Sequence, residues 1–376
     1  MKLKFLLAVT LIICSISALR AQEDSISNKG ILTISGYVDS YYQYNLNRPL
    51  SGYNQGRIFD LPHNSFNLGL VQTVFSYSIN KLNVVADLTF GPNADLGNFG
   101  NQGTSRLIKQ AYISYDFTDN VTFTIGQFGT HIGYELIDAP LNFNYSLSYL
   151  FGNGPFYHTG AKLDFALSDK VGLMVGVVNG WDAIQDYNEK KSLVAQVSFA
   201  PVEGFDIYVN WIGGDEYDFR ELPGEMGNSA FGANKDSYTS LFDLTTSYQV
   251  TPSFLLGLNA AYGSFKTGAA VADDSDDWSK DATWSGAAIY SNYAFNDMFA
   301  LGVRGEYFSD PSGVRYFGPV EVTALTLTGD VKLADGRFSI KPELRFDSAK
   351  DAFFEDSKGL GTKTQTTLGA AFIYAF

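Results

Sequence analysis

The connections in this chain alternate in length, and that regularity restricts the fold more than any single motif does. Short, turn-like links fall at 79–81, 118–120, 168–170, 201–204, 251–253, 296–297 and 334–336. They draw on Asn, Asp, Gly, Pro and Ser, the residues that favour tight turns. Long, polar links lie between them, at 46–62, 93–106, 132–156, 183–190, 214–237, 267–283, 310–318 and 348–362. Seven short and eight long links imply about sixteen segments. Each segment has roughly the ten residues that a tilted, membrane-crossing β-strand needs.

Side chains alternate within the segments. In 337–347, Phe338, Ile340, Leu344 and Phe346 share one face, while Ser339, Lys341, Glu343, Arg345 and Asp347 share the other. Phe205, Ile207, Val209 and Trp211 alternate with Asp206, Tyr208 and Asn210; Phe299, Leu301, Val303 and Tyr307 oppose Arg304 and Glu306. Period two puts each set on one surface of a sheet. A soluble β-sandwich would alternate too, with its apolar faces inward. The short–long asymmetry favours an all-β fold: a transmembrane, antiparallel, up-and-down β-barrel of about 16 strands, with short periplasmic turns and long extracellular loops. An even strand number lets the last strand pair with the first and removes the edges. Leu368, Ala370, Phe372, Tyr374 and Phe376 alternate up to an aromatic end, which resembles the C-terminal signature that the barrel-assembly machinery recognises in outer-membrane barrels. That machinery is an expected partner, as are outer-membrane lipid and lipopolysaccharide.

Composition agrees. The 376 residues include 30 Phe, 23 Tyr and 37 Gly but only 11 Pro. A helical membrane protein would be far more apolar. The formal charge of -14 argues against nucleic acid, whose phosphates need a basic surface. Residues 1–21 read as a cleaved signal peptide: Lys2 and Lys4, the apolar run Phe5 to Ile16, then Ala18-Leu19-Arg20-Ala21. The run is too short to span a bilayer. The single cysteine, Cys14, follows Ile13 where a lipoprotein signal has a small residue. Cleavage would remove Lys2, Lys4 and Arg20 and leave 23 basic residues against 40 acidic, a net charge of -17. The expected organisation is a signal peptide (1–21), a short periplasmic tail (22–30) and a barrel (31–376) in the outer membrane of a Gram-negative cell. The tail leaves no room for the plug of an active transporter.

Catalysis has little support, and the chain is not read as an enzyme. His63, His131 and His158 are its three histidines, none in a metal-ligand spacing, and no Ser-centred nucleophile motif occurs. No catalytic residue, metal or cofactor is expected. A lipid hydrolase would set His158 against Ser146 or Ser148; the plainer expectation makes His131 and His158 rim residues flanking one loop. Asp273, Asp274, Asp276 and Asp277 lack the glycine and spacing of a defined calcium loop.

That loop, 132–156, is the least polar of the long links, with Tyr134, Phe143, Tyr145, Tyr149, Leu150 and Phe151. A loop so apolar should fold against something. It follows the fifth strand, and in sixteen-stranded general porins the third outer loop folds inward and narrows the channel. We read it as a constriction, with Glu135 and Asp138 as pore-facing carboxylates beside Tyr145 and Tyr149. Packing across the outer mouth, or against a neighbouring subunit, is the other arrangement. By alternation the inner wall carries Asp39, Asp87, Asp116, Lys162, Asp164, Asp206, Asp243, Arg304, Glu306, Lys341, Glu343, Arg345 and Asp347, nine acidic and four basic. Opposed charges across a narrow lumen set a transverse field, and the acidic excess predicts mild cation selectivity. Alternatively Arg304, Lys341, Glu343 and Arg345 form a salt-bridged ladder filling the lumen. Tyr37, Tyr41, Tyr112 and Tyr208 share the inward parity and would suit a sugar slide.

The stretch Gly36-Tyr37-Val38-Asp39-Ser40-Tyr41-Tyr42 resembles the β-barrel porin family of the OmpL-like type. So do Gly126-Gln127-Phe128-Gly129, Glu135, Pro140, Asn144-Tyr145-Ser146 and Gly160-Ala161-Lys162. The resemblance runs from about Gly30 to Phe376 and implies a porin-like barrel in the outer membrane, without a settled substrate or agreed pore residues. Many general porins are trimers, so analogy suggests a homotrimer. The expected function is passive diffusion of small hydrophilic solutes or ions through a water-filled channel. The alternative is a structural or adhesive barrel acting through its extracellular loops.

Overall fold

The computed structural model describes residues 29–98, 101–186, 188–216, 238–265, 282–316 and 318–376. The signal peptide, most of the 22–30 tail and the acidic run Asp273–Asp277 lie outside the described residues.

Among the described residues, sixteen long strands close into one antiparallel barrel. The first eight are β1 (Ile31–Asn45), β2 (Ser65–Ile79), β3 (Leu82–Phe90), β4 (Ile108–Thr118), β5 (Val121–Gly129), β6 (Tyr157–Ser168), β7 (Val171–Val178) and β8 (Ser192–Val202). The others are β9 (Phe205–Asp215), β10 (Tyr238–Thr251), β11 (Phe254–Phe265), β12 (Ala282–Ala294), β13 (Phe299–Asp310), β14 (Val320–Leu333), β15 (Phe338–Ala349) and β18 (Thr364–Ala375). The last long link carries a small hairpin, β16 (Phe354–Glu355) and β17 (Gly361–Thr362). Each barrel strand pairs with its chain neighbours, so the short links are hairpin turns. Asn80, Ala334, Asp335 and Gly336 take positive φ there, matching the twist of the flanking strands.

The seam joins β1 to β18 in a register running from Tyr37↔Ala375 to Asn45↔Thr367. Gly36 N donates to the Phe376 carbonyl at 3.1 Å, and Phe376 N donates to the Gly36 carbonyl at 2.9 Å. On the other side of β1, a Cβ at Gly36 would collide with the Gln72 carbonyl of β2, so glycine is needed for that close approach.

The apolar faces look outward: Ile113, Ile125, Val175, Val209, Ile289, Leu325, Leu368 and Phe372 are all exposed. The inner face is more varied than an ionic, wetted wall. Val178, Val194, Ile212, Leu241, Tyr290, Phe308 and Val322 form an apolar cluster with Ile132, Tyr149 and Leu150 of the long β5–β6 link. Ile212 lies in phase with Asn210, and Phe308 with Glu306. The inward register thus changes from polar to apolar along one strand. Each large apolar side chain buried there contributes about 1.5–3 kcal/mol.

Candidate functional site

The β5–β6 link, residues 130–156, runs inside the barrel. Its entry is fixed at β10, where Gly133 N donates to Asp243 Oδ1 at 3.0 Å. Asn210 Nδ2 (2.8 Å) and Asn259 Nδ2 (2.5 Å) hold the same carboxylate. Tyr134 stacks on Tyr290 of β12 at 4.4 Å between ring centroids. Glu135 then accepts from Arg304 Nη1 at 2.6 Å and from Ser148 N at 2.8 Å.

An irregular backbone inside a barrel must find partners for its own N–H and C=O groups. Period-two alternation supplies them, because every second wall residue presents a side chain to the loop. Tyr145 N and Ser146 N donate to Glu343 at 2.8 and 3.1 Å, and Tyr149 N donates to Glu306 at 2.7 Å. The carbonyls of Ser146 and Leu147 accept from Arg304 (2.6 Å) and Arg345 (2.8 Å). Lys341 Nζ donates to the carbonyls of Ala139 and Asn142. Tyr145 OH donates to Asp39 at 2.6 Å and Tyr149 OH to Asp347 at 3.0 Å. At the far side Asp138 accepts from Lys109 and from Gln72 Nε2 (2.8 Å).

The charges form one network. Arg304 reaches Glu306 at 3.1 Å; Arg345 reaches Asp347 at 2.8 Å and Glu306 at 3.2 Å. Arg57, from the first long link, pairs with Asp347 at 2.8 Å and with Asp60. The Arg345 guanidinium lies 4.9 Å from the centre of the Tyr149 ring. Arg57, Asp60, Glu135, Arg304, Glu306, Arg345 and Asp347 are all buried. Burying such groups is tolerable only because each meets an opposite charge or a backbone dipole.

The thirteen wall residues predicted from alternation therefore divide. Asp39, Asp87, Asp243, Arg304, Glu306, Lys341, Glu343, Arg345 and Asp347 are buried on the inner side. Asp39 sits at a bulge between β1 and β2 and accepts from Leu70 N as well as from Tyr145. Asp116, Lys162, Asp164 and Asp206 keep access to solvent. Lys162 pairs with Asp164 at 2.9 Å, and Thr122 donates to Asp116 at 2.7 Å. Two expectations need correction. Glu135 faces Arg304 rather than open water, and Tyr145 and Tyr149 are buried against the wall; only Asp138 of the four loop residues stays partly open. Arg304, Lys341, Glu343 and Arg345 form no ladder among themselves: the two arginines share Glu306, and all four hold the loop. Tyr37 and Tyr41 are buried, Tyr112 is partly buried and Tyr208 is exposed. Among the described residues, no ring contact joins these four tyrosines.

Sequence reasoning missed Lys109, Arg57 and Asp60. A register shift between Asp87 and Leu88 breaks the parity around Lys109, and no residue pattern announces it. Arg57 and Asp60 sit in a link that alternation does not reach. The histidines are structural in their contacts. His158 Nε2 lies 3.0 Å from Thr130 Oγ1 and its Nδ1 3.2 Å from the Gly180 carbonyl; His131 Nε2 lies 3.0 Å from the Trp211 carbonyl. Burial pushes His131 down to about 4, so it is neutral at physiological pH. Ser146 and Ser148 bond elsewhere, to Arg345 and to Phe151 N.

Beneath the loop, at the short-turn end, lies a cavity of about 620 Å³. Pro140 to Phe143 roof it, and Asp297, Asp330, Lys332 and Arg337 stand in its walls.

A closed sixteen-strand barrel with a lipid-compatible outer face and a long loop folded into its interior is the architecture of an outer-membrane porin. The chain belongs to the family described as "Putative beta-barrel porin-2, OmpL-like", whose sequence model matches residues 31–376. Solved structures share the fold at low identity. An anion-selective porin from Comamonas acidovorans is 12% identical with a TM-score of 0.60, covering 93% of this chain and 100% of that one. In-vitro folded OmpT of Vibrio cholerae, in a trimer form, is 11% identical with a TM-score of 0.59, covering 92% and 99%. The outer-membrane channel DcaP of Acinetobacter baumannii is 12% identical with a TM-score of 0.56, covering 95% and 100%. No curated protein sequence matches the chain.

Proposed function

We propose that the protein is a porin for passive diffusion of small hydrophilic solutes or ions, mildly cation-selective, with residues 132–156 as its constriction. The observation that carries this reading is the course of that loop, which lies inside the barrel and is tied to β10 on one side and β13–β15 on the other. Selectivity then rests with the charges left in reach of water. Lys162 is offset by Asp164, whereas no cation pairs with Asp116 or Asp206 among the described residues. The anion-selective porin from Comamonas acidovorans has the same fold, so lining charge rather than barrel shape must set the sign. Reversal potentials in a salt gradient should show cation preference, and Asp116→Asn with Asp206→Asn should reduce it by about half. Anion preference in the unaltered channel would overturn the assignment.

The burial of so much of the inner wall favours one other reading, a closed barrel serving as a structural or adhesive anchor through its outer loops. Planar-bilayer recordings separate the two: discrete openings support the pore, and persistent silence supports the anchor. The same proposal includes cleavage after Ala21, assembly through the β18 strand and a homotrimer, the last supported by the trimer form of OmpT.

A further inference from the structure

Resting on the pore reading, we propose that residues 136–143 form a movable lobe that gates the barrel, latched by Lys341 at its base and by Asp138–Lys109 at its tip. The two parts of the β5–β6 link are held by different forces. Residues 145–156 are sunk in an apolar and aromatic core: Tyr149 and Leu150 join the inner cluster, and Phe151 stacks on Phe156 at 5.1 Å. The lobe is attached through polar contacts and one small apolar patch, where Ala139 is buried beside Tyr37, Tyr41 and Leu70. Its neck is anchored on both sides, at Glu135 by Arg304 and at Asn144, which donates to Thr328 at 2.7 Å.

Within the lobe, Leu136 N donates to Asn142 Oδ1 at 3.0 Å, and Asn142 Nδ2 donates back to the Leu136 carbonyl at 2.6 Å. This cross-tie lets the eight residues move as one body, as compact loops with close ends do. Ile137 and Phe143 keep apolar neighbours, but Leu136 is 45% exposed and Leu141 67%, so displacement forfeits little apolar burial there. Pro140 to Phe143 are the roof of the 620 Å³ cavity, so lifting the lobe enlarges the space beneath it.

Lys341 is unusual among the buried cations. Arg57, Arg304 and Arg345 each pair with carboxylates, whereas the hydrogen bonds of Lys341 go to two lobe carbonyls, Ala139 and Asn142. Asp330 and Glu343 act on its ammonium through the field alone, so moving the lobe removes both of these hydrogen bonds. At the tip, Lys109 stands between Asp138 of the lobe and Asp87 of the wall, the latter at 3.5 Å. Release of the lobe leaves Lys109 a partner in Asp87, which lowers the barrier at that end.

The test uses the purified full chain in planar lipid bilayers, with a polyethylene glycol exclusion series. Lys341→Met combined with Asp138→Asn should raise conductance or open time at least about twofold and admit larger polymers. Lys341→Arg should stay near the unaltered channel. Unchanged conductance and exclusion limit in the double variant would overturn the proposal. Because a buried substitution can impair folding, a second measurement locks the lobe instead. Lys109→Cys with Asp138→Cys, bridged by a short reducible bifunctional thiol reagent, should lose about 90% of its conductance and regain it on reduction. A bridged channel that conducts as well as the reduced one also overturns the gate while leaving the pore intact. Silence of every form, the unaltered protein included, overturns the pore reading and the gate with it.

Discussion

Arg304→Ala is expected to lower the stability of the barrel by about 3–5 kcal/mol, the usual penalty for removing one partner from a buried ion pair. The guanidinium meets Glu135, Glu306, the Ser146 carbonyl and Thr326 at once, and it is fully buried. Truncation leaves Glu135 without a cation in a poorly solvated interior, leaves Glu306 to Arg345 alone, and frees one carbonyl of the loop. The measurement is the denaturant midpoint of the purified protein in detergent micelles, followed by the heat-modifiable gel shift that separates folded barrels from unfolded chain. Arg304→Met together with Glu135→Gln and Glu306→Gln removes both carboxylate charges as well, and should recover a large part of the loss. The sites touch one another, so their effects will not add. A loss below about 1 kcal/mol for Arg304→Ala would show that water enters the network freely, against the burial described above.

The second large effect concerns pH, and it comes from the outer end. Asp182 accepts from Phe156 N (2.6 Å) and Tyr157 N (3.1 Å), stapling the β7–β8 link to the exit of the inner loop. Burial raises its pKa to about 7 against the accepting bonds that lower it. Burial likewise pushes Glu216 up to about 7, where it accepts from Trp181 N at 3.0 Å and from Ser192. A carboxyl whose folded pKa exceeds its unfolded value binds its proton more tightly when folded. Its contribution is greatest below about 4 and is lost as pH rises to about 7. His131 acts in the opposite sense: its depressed pKa contributes stability above about 6.5 that is lost as pH falls towards 4. The two trends overlap, so the informative quantity is the difference between the unaltered protein and Asp182→Asn. Both carboxylates retain some contact with solvent, which limits the swing to about 1–2 kcal/mol for Asp182. Denaturant midpoints from pH 5 to pH 8 should fall by more in the unaltered protein than in the variant. Parallel curves would mean that Asp182 is already ionised at pH 5.

The barrel itself was legible before any coordinates. Strand number, the order of short and long links and the inward parity of residues such as Arg304, Glu306, Lys341 and Arg345 all follow from period-two alternation and turn chemistry. Alternation tells which side of the sheet a residue occupies; it does not tell what else occupies that side. Asp39, Glu343 and Asp347 read as lining charges because nothing in their own strands reveals the loop segment lying over them. Tyr145 and Tyr149 pointed to a packed loop, but their partners are separated from them by about two hundred residues for Glu343 and Asp347. Lys109 escaped because one bulge reverses parity locally, and the apolar patch of Val194, Ile212 and Phe308 looked like ordinary strand composition.

The seam between β1 and β18 bears on biogenesis. Its pairing partners, from Tyr37 with Ala375 to Asn45 with Thr367, are separated by nearly the whole chain. The first strand therefore keeps one unpaired ribbon edge during folding, and the cylinder cannot seal until the last strand arrives. Until then the open edge is a template for wrong pairing, so a chain truncated before β18 should be prone to self-association.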